Sequence, residues 1–328
     1  MKRREFIVGL GGAVTWPLAA RAQQGIRIPR LGVLWQGQKG QLLGAWETFT
    51  DALRHLGWSD GNNIQIDQLW AANNAAQVHV LATELVSLKP DIIFAINTLV
   101  VAALQHETKT IPIVFVSVTD PVASGFVASL SHPGGNITGF SNFEPTLVGK
   151  HIEILKEITP GMTAVSDMFN PDTNPAYLSS VYPILEAAAR HHAVEHIPAP
   201  VRNDADIERV ISSLGDKPTT GLIVAGEPFL GVRLDLITSL TRRYRVVSVS
   251  PFRLFVEGGC LISYGSDLIE QYGRAAAYID RILKGANPAD LPVQAPTKFT
   301  MVINLKTAKA IGLEIPPGVL ARADEVIE

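Results

Sequence analysis

Cysteine is almost absent from this chain of 328 residues: Cys260 is the only one. A lone cysteine excludes an intramolecular disulfide, and its distance from the N-terminus excludes a lipid-modified cysteine at a processed start. It reads as a small buried apolar residue rather than a nucleophile. Charge of either sign is scarce too, with a net value of -3. Without a basic excess there is no electrostatic basis for a nucleic-acid partner. Beyond residue 22 no apolar run reaches the ~20 residues that a membrane-spanning helix needs. Catalytic signatures are missing: there is no G-x-S-x-G elbow, no G-x-x-x-x-G-K-S/T phosphate loop, no H-E-x-x-H and no glycine fingerprint after a strand. His106-Glu107 lacks a second histidine at the required spacing. His191, His192 and His196 straddle a helix end and the next strand with no cysteine or acidic partner pattern, so they do not read as a metal site. No cofactor is implied.

At the N-terminus, Lys2, Arg3 and Arg4 precede an uncharged stretch from Phe6 to Ala20, and Ala20-Arg21-Ala22 stands before Gln23-Gln24. A basic region, a short apolar region and a small-x-small site make a cleavable export signal over residues 1–22, which would release a soluble protein into the periplasm. Arg3-Arg4-Glu5-Phe6-Ile7 has the form of a twin-arginine signal, but paired basic residues open general secretory signals as well, so both routes stay open.

From Arg30 onward, short β-branched runs alternate with amphipathic helical segments, the pattern of parallel sheets covered by helices and hence of an α/β fold. Strands are expected at 31–35, around Ile64 and Ile66, at 91–96 and at 111–116. Trp46, Phe49, Leu53 and Leu56 mark one helix face, stopped at Gly57, and Val78, Leu81, Leu85 and Leu88 another, ended by Lys89-Pro90. A third helix begins near Thr98. Around Gly134-Gly135-Asn136-Ile137-Thr138-Gly139 the rhythm breaks, and the segment reads as a turn leading into a crossing. The rhythm then restarts, with helix faces at 152–158, 184–188 and 207–214 and strands at 164–169, 221–226 and 246–249. Leu268 to Leu283 is a long amphipathic helix closed by Gly285 and Asn287-Pro288, expected to pack back on the first series. Residues 23–328 suffice for two medium lobes. The expected division is 29–141 with 265–296 as lobe I and 142–264 with 297–328 as lobe II.

In open α/β sheets ligands bind beyond the C-terminal ends of the strands, so strand-end residues carry the functional reading. The Thr98 hydroxyl, after Asn97, either caps a helix or joins its free N–H groups in holding an anion. In Ser117-Val118-Thr119-Asp120-Pro121, Asp120 either caps the next turn or meets a ligand ammonium. Asn170, Glu227 and Phe252 stand at equivalent ends in the second series, where facing polar loops make a clamp. Trp35, Tyr177, Phe252 and Tyr264 either wall a flat ligand or pack the core. Asp120 and Glu227 could also form a catalytic carboxylate pair, although two acids facing a polar crevice suit a cation equally well.

Several segments carry a resemblance. They are Arg3-Arg4-Glu5-Phe6 with residues 16–22, Asp120-Pro121-Val122 with Gly125, Pro133 to Gly139, Pro251-Phe252 with Val256-Glu257-Gly258-Gly259, Ser263-Tyr264-Gly265, and Pro296 to Phe299 running on to Asn304-Leu305-Lys306. Together they resemble the ABC-importer substrate-binding proteins, whose better-understood branch takes up tryptophan or tyrosine. The resemblance implies a type I periplasmic binding protein fold: two Rossmann-like lobes joined by a multi-strand hinge with three crossings. It also implies that Thr98, Ser117, Asp120, Asn142, Asn170, Glu227 and Tyr264 match pocket-lining positions. With Trp35, Asn97, Thr119, Tyr177 and Phe252 these make the candidate ligand contacts. The expected function is a monomeric, non-enzymatic receptor that captures a small amino-acid-like or aromatic carboxylate solute for an ABC permease in the inner membrane. The alternative is a sensor presenting the same closed lobes to a membrane receptor.

Overall fold

The computed structural model describes residues 27–40, 43–174, 177–217 and 219–328. The expected export signal over residues 1–22 lies outside the described residues. Two sheets organise the chain. The first has five parallel strands, β1 (Arg30–Trp35), β2 (Gln65–Trp70), β3 (Ile92–Ile96), β4 (Ile113–Val118) and β5 (Ile137–Ser141), in the order β2-β1-β3-β4-β5. The second holds β6 (Ala164–Phe169), β7 (Glu195–Pro200), β8 (Thr220–Val224), β9 (Ser248–Ser250), β10 (Ile262–Ser266), β11 (Phe299–Asn304) and β12 (Glu325–Ile327), in the order β12-β11-β10-β9-β8-β6-β7. Among the described strands only the β10–β11 pairing is antiparallel.

Central strands covered by helices on both faces must be apolar throughout, and β3, Ile-Ile-Phe-Ala-Ile, is buried at every position. Edge strands tolerate polar residues and proline, and β7 carries both Pro198 and Pro200 at the outer edge of its sheet. On one face of the first sheet, helix Leu43–His55 turns Ala45, Phe49 and Leu53 inward. Beside it packs helix Leu268–Leu283, whose Tyr272, Ala275, Ala276 and Ile279 join the same core. Helices Ala75–Ser87 and Thr98–Glu107 cover the opposite face with Val78, Leu85, Val100 and Leu104. The helices Leu305–Ile311 and Pro317–Leu320 bury Ala308, Ile311 and Val319 in the core of the second sheet.

The segment around Gly139, which the sequence reads as a turn into a crossing, is instead the fifth strand of the first sheet. Its glycine explains the difference. Gly139 has φ 152°, and a Cβ there would lie 2.1 Å from the Phe115 carbonyl oxygen, so β5 can lie against β4 only with glycine at this position. The chain first leaves the five-stranded sheet after Ser141. It returns at Asp267, the N-cap of helix Leu268–Leu283, and leaves again between Gln294 and Phe299. Two helices absent from the sequence reading, Leu234–Arg243 and Arg253–Glu257, complete the second unit.

Candidate ligand-binding site

Each sheet places its first strand between the second and the third, so strand order reverses once in each: at β1/β3 in the first and at β6/β8 in the second. Such switch points open a crevice at the strands' C-terminal ends. A polar pair bridges each one. At the first, Gln36 follows β1, Asn97 follows β3, and Asn97 Nδ2 donates to Gln36 Oε1. At the second, the Asn170 N–H following β6 donates to Glu227 Oε1, beyond β8, at 2.6 Å. These sites hold strain. Five of the eight described non-glycine residues with positive φ, Ala72, Asn73, Asn97, Ser117 and Asp120, sit at or just past the ends of β2, β3 and β4. Left-handed backbone at non-glycine residues persists only where surrounding structure imposes it, and it clusters at functional rims.

Asn97 caps helix Thr98–Glu107, its Oδ1 accepting from Leu99 N at 3.0 Å and Val100 N at 3.3 Å. The cap is therefore Asn97 and not Thr98, whose hydroxyl accepts from Thr119 N at 3.0 Å and ties the helix to the end of β4. Two amides expected to meet an anion are already satisfied within the chain. Asp120 acts as a cap as well, its carboxyl accepting from Ala123 N at 3.0 Å.

The second lobe's side of the crevice is acidic. Glu227 is 5% exposed, and its Oε2 has no partner in hydrogen-bond geometry among the described residues. Burial pushes its carboxyl up to about 8, outweighing the Asn170 N–H and the nearby Asn174 amide, which favour the charged form. Tyr177 stacks on Phe169 at 4.5 Å, and burial, then the carboxylates of Asp167 and Glu227, hold its hydroxyl well above the usual phenol range. Asp167 pairs with His196 Nε2 at 2.5 Å, and its own carboxyl is raised by burial despite that partner. Among the described residues, no group of three or more His, Cys, Asp or Glu could hold a metal.

Three connected spaces lie between the two units. One chamber has an aromatic wall on the first-sheet side, where Trp35 stacks on Trp70 at 4.5 Å and 5° and lies 6.0 Å from Tyr272. Phe252, Leu254 and Phe255 face it from the other side. A second chamber is lined by Leu147, Leu185, Tyr177 and the buried His151. His151 Nε2 lies 2.7 Å from the Tyr264 carbonyl, and burial lowers its affinity for a second proton. Between them runs a polar passage with Thr98, Thr119 and Asn174 in its walls. Asn142 and Gly226 border all three.

The first chamber brings together Trp35, Asn97, Ser117, Asn142, Glu227 and Phe252; Thr98 and Thr119 line the passage, and Tyr177 the second chamber. Asp120, Asn170 and Tyr264 are not in these walls: Asn170 braces Glu227 from behind, and the Tyr264 ring leans on Phe299. Gln36, Trp70 and Tyr272 were missed by sequence reasoning. Trp70 had a signal, since it ends β2 in register with Trp35 at the end of β1. Gln36 is 1% exposed at the chamber wall, and its Nε2 has no hydrogen-bond partner among the described residues.

The family model described as ABC transporter substrate binding protein matches residues 39–327. A tyrosine-binding protein of Clostridioides difficile strain R20291 is 29% identical over 272 residues, 81% of this chain and 76% of that relative. A conserved domain protein of Vibrio cholerae O1 biovar El Tor has a crystal structure that matches with a TM-score of 0.85 at 28% identity, covering 92% of this chain and all of that one. An ABC domain from Streptococcus pneumoniae in complex with L-Trp shares the fold, with a TM-score of 0.83 at 24% identity over 91% of this chain and 99% of that one.

Proposed function

This chain belongs to the ABC transporter substrate-binding protein family, and from that premise we propose that it captures an aromatic, amino-acid-like solute between its two lobes and delivers it to an inner-membrane ABC permease. The family is one of solute-binding proteins, not enzymes, that work with a permease. The observation that carries the ligand class is the chamber at the two switch points, where stacked Trp35 and Trp70 offer a flat apolar wall and Gln36 and Glu227 place an unpartnered donor and an unpartnered oxygen nearby. Clefts with mostly apolar walls and a few convergent polar groups suit small amphiphilic ligands. The tyrosine-binding relative supports the same reading.

In this proposal, residues 29–141 with 265–296 form one jaw and residues 142–264 with 297–328 the other, closing on the ligand about the three crossings. The receptor works in the periplasm as a monomer, after export and removal of residues 1–22, and has no nucleic-acid partner. Among the described residues, no helix is long and apolar enough to cross a membrane. A thermal-shift panel tests the ligand class. At a hundred times the dissociation constant a ligand stabilises the folded state by about 2.7 kcal/mol, or roughly 5 °C for a chain of this size. L-tyrosine or L-tryptophan should give such a rise and L-leucine much less. No shift with any aromatic amino acid at millimolar concentration would remove the aromatic reading.

A further inference from the structure

Glu227 is a buried acid with no cationic partner among the described residues. Its Oε1 takes the Asn170 N–H, the Asn174 amide lies near the carboxyl, and Oε2, buried at the wall of the aromatic-walled chamber, has no partner in hydrogen-bond geometry among the described residues. The charged groups around it offer no cation. Behind it, Tyr177 faces Asp167, which is matched by His196. On the loop after β6, Asp172 is paired with Arg202 at 3.3 Å. Arg233, past the short helix that Glu227 begins, binds Asp204 at 2.6 Å and the Phe229 carbonyl at 3.1 Å. Across the cleft stand Gln36, Asn97, Ser117 and Asn142, all uncharged. A carboxylate removed from water must either keep its proton or meet a cation, because an isolated buried charge costs many kcal/mol. None of the described residues brings that cation, which leaves the role open to a bound ligand.

We propose that Glu227 selects aminated solutes: it holds a proton in the ligand-free protein and yields it to solvent when a protonated ligand amine docks against its carboxyl. This rests on the solute-capture reading above and names the chemistry within it. The O–H bond of Glu227 breaks, the proton goes to water, and the resulting carboxylate accepts N–H hydrogen bonds from the ammonium. The role first read for Asp120, whose carboxyl is occupied by the Ala123 N–H, passes to Glu227. Burial raises the Glu227 carboxyl to about 8, so below that pH a single proton is displaced per amine bound and affinity falls by about tenfold for each further unit of acidity. A solute with a carboxylate and no amine gains nothing from Glu227.

Calorimetric titration of the signal-free chain near pH 7, in two buffers of different ionisation enthalpy, counts the protons. The probes are L-tyrosine, tyramine and the deaminated acid hydroxyphenylpropionate, each against wild type and Glu227→Gln. L-tyrosine and tyramine should release about one proton from wild type and none from Glu227→Gln, and should lose about ten- to a hundredfold in affinity on that substitution. Hydroxyphenylpropionate should bind both proteins alike without proton release. Binding of L-tyrosine with no proton release, or equal losses for aminated and deaminated probes, would overturn the proposal and leave the aromatic reading standing. If no probe binds wild type, the aromatic reading fails instead. The infrared spectrum of the ligand-free protein then decides for Glu227: a protonated-carboxyl band near neutral pH that vanishes in Glu227→Gln upholds the proposal, and its absence overturns it.

Discussion

At the scale of single residues, polar groups in the cleft divide into those that finish the backbone and those with no partner among the described residues. Asn97 Oδ1, the Thr98 hydroxyl and the Asp120 carboxyl all accept backbone N–H groups of their own lobe. Gln36 Nε2 and Glu227 Oε2 have no hydrogen-bond partner among the described residues, and we propose that they meet the ligand. That distinction was not legible in the sequence, because Asn, Thr and Asp after a strand look alike whether they cap a helix or face a ligand. What was legible is which residues stand at strand ends: nine of the twelve candidates line cavities there, since strand ends can be found from hydrophobic runs alone. Glu227 also has a consequence for stability. Its carboxyl is raised to about 8 in the folded chain against 4.5 in an unfolded one, so over that interval the folded state holds a proton that the unfolded state has lost. Stability is therefore reduced progressively as pH rises from about 4.5 to about 8. Melting temperatures of ligand-free wild type and Glu227→Gln across this range should converge at the acid end and diverge toward pH 8, with the glutamine variant the more stable. Parallel curves would show that Glu227 does not titrate there.

Secondary-structure elements were readable where one face is apolar and unreadable where burial is complete but the residues are small or polar. Helix Leu268–Leu283 shows its stripe plainly. Helix Leu234–Arg243 buries Thr238 and Thr241 beside Ile237 and Leu240, which dilutes its stripe. β5, Ile-Thr-Gly-Phe-Ser, is buried at every position yet lacks both alternation and an apolar run, and its glycine mimics a turn. The strand's need for that glycine is testable. In Gly139→Ala the new methyl meets the Phe115 carbonyl oxygen at a distance no real contact reaches, and φ 152° is strained for alanine. Urea unfolding should show a loss of about 3 kcal/mol or more, or no cooperative transition. A loss below about 1 kcal/mol would mean that β5 does not lie against β4 in this way.

At the scale of the whole molecule, helix Leu268–Leu283 joins ends that lie far apart in sequence. Its Gln271 accepts from Ser117 N at 3.3 Å and donates to the Ser141 carbonyl at 3.2 Å, fastening the end of β4 and the first crossing to one side chain. The same helix presents Tyr272 to the chamber walled by Trp35 and Trp70, whose opposite wall belongs to the second sheet's loops. Capture between lobes thus requires that one ligand touch both switch points together. Hydrogen-exchange mass spectrometry with and without saturating L-tyrosine reads this most directly. The account predicts slowed exchange in segments from both sides, around residues 36–38 and 97–99 and around 170–174 and 226–229. Protection confined to one side, or none at all, would contradict it.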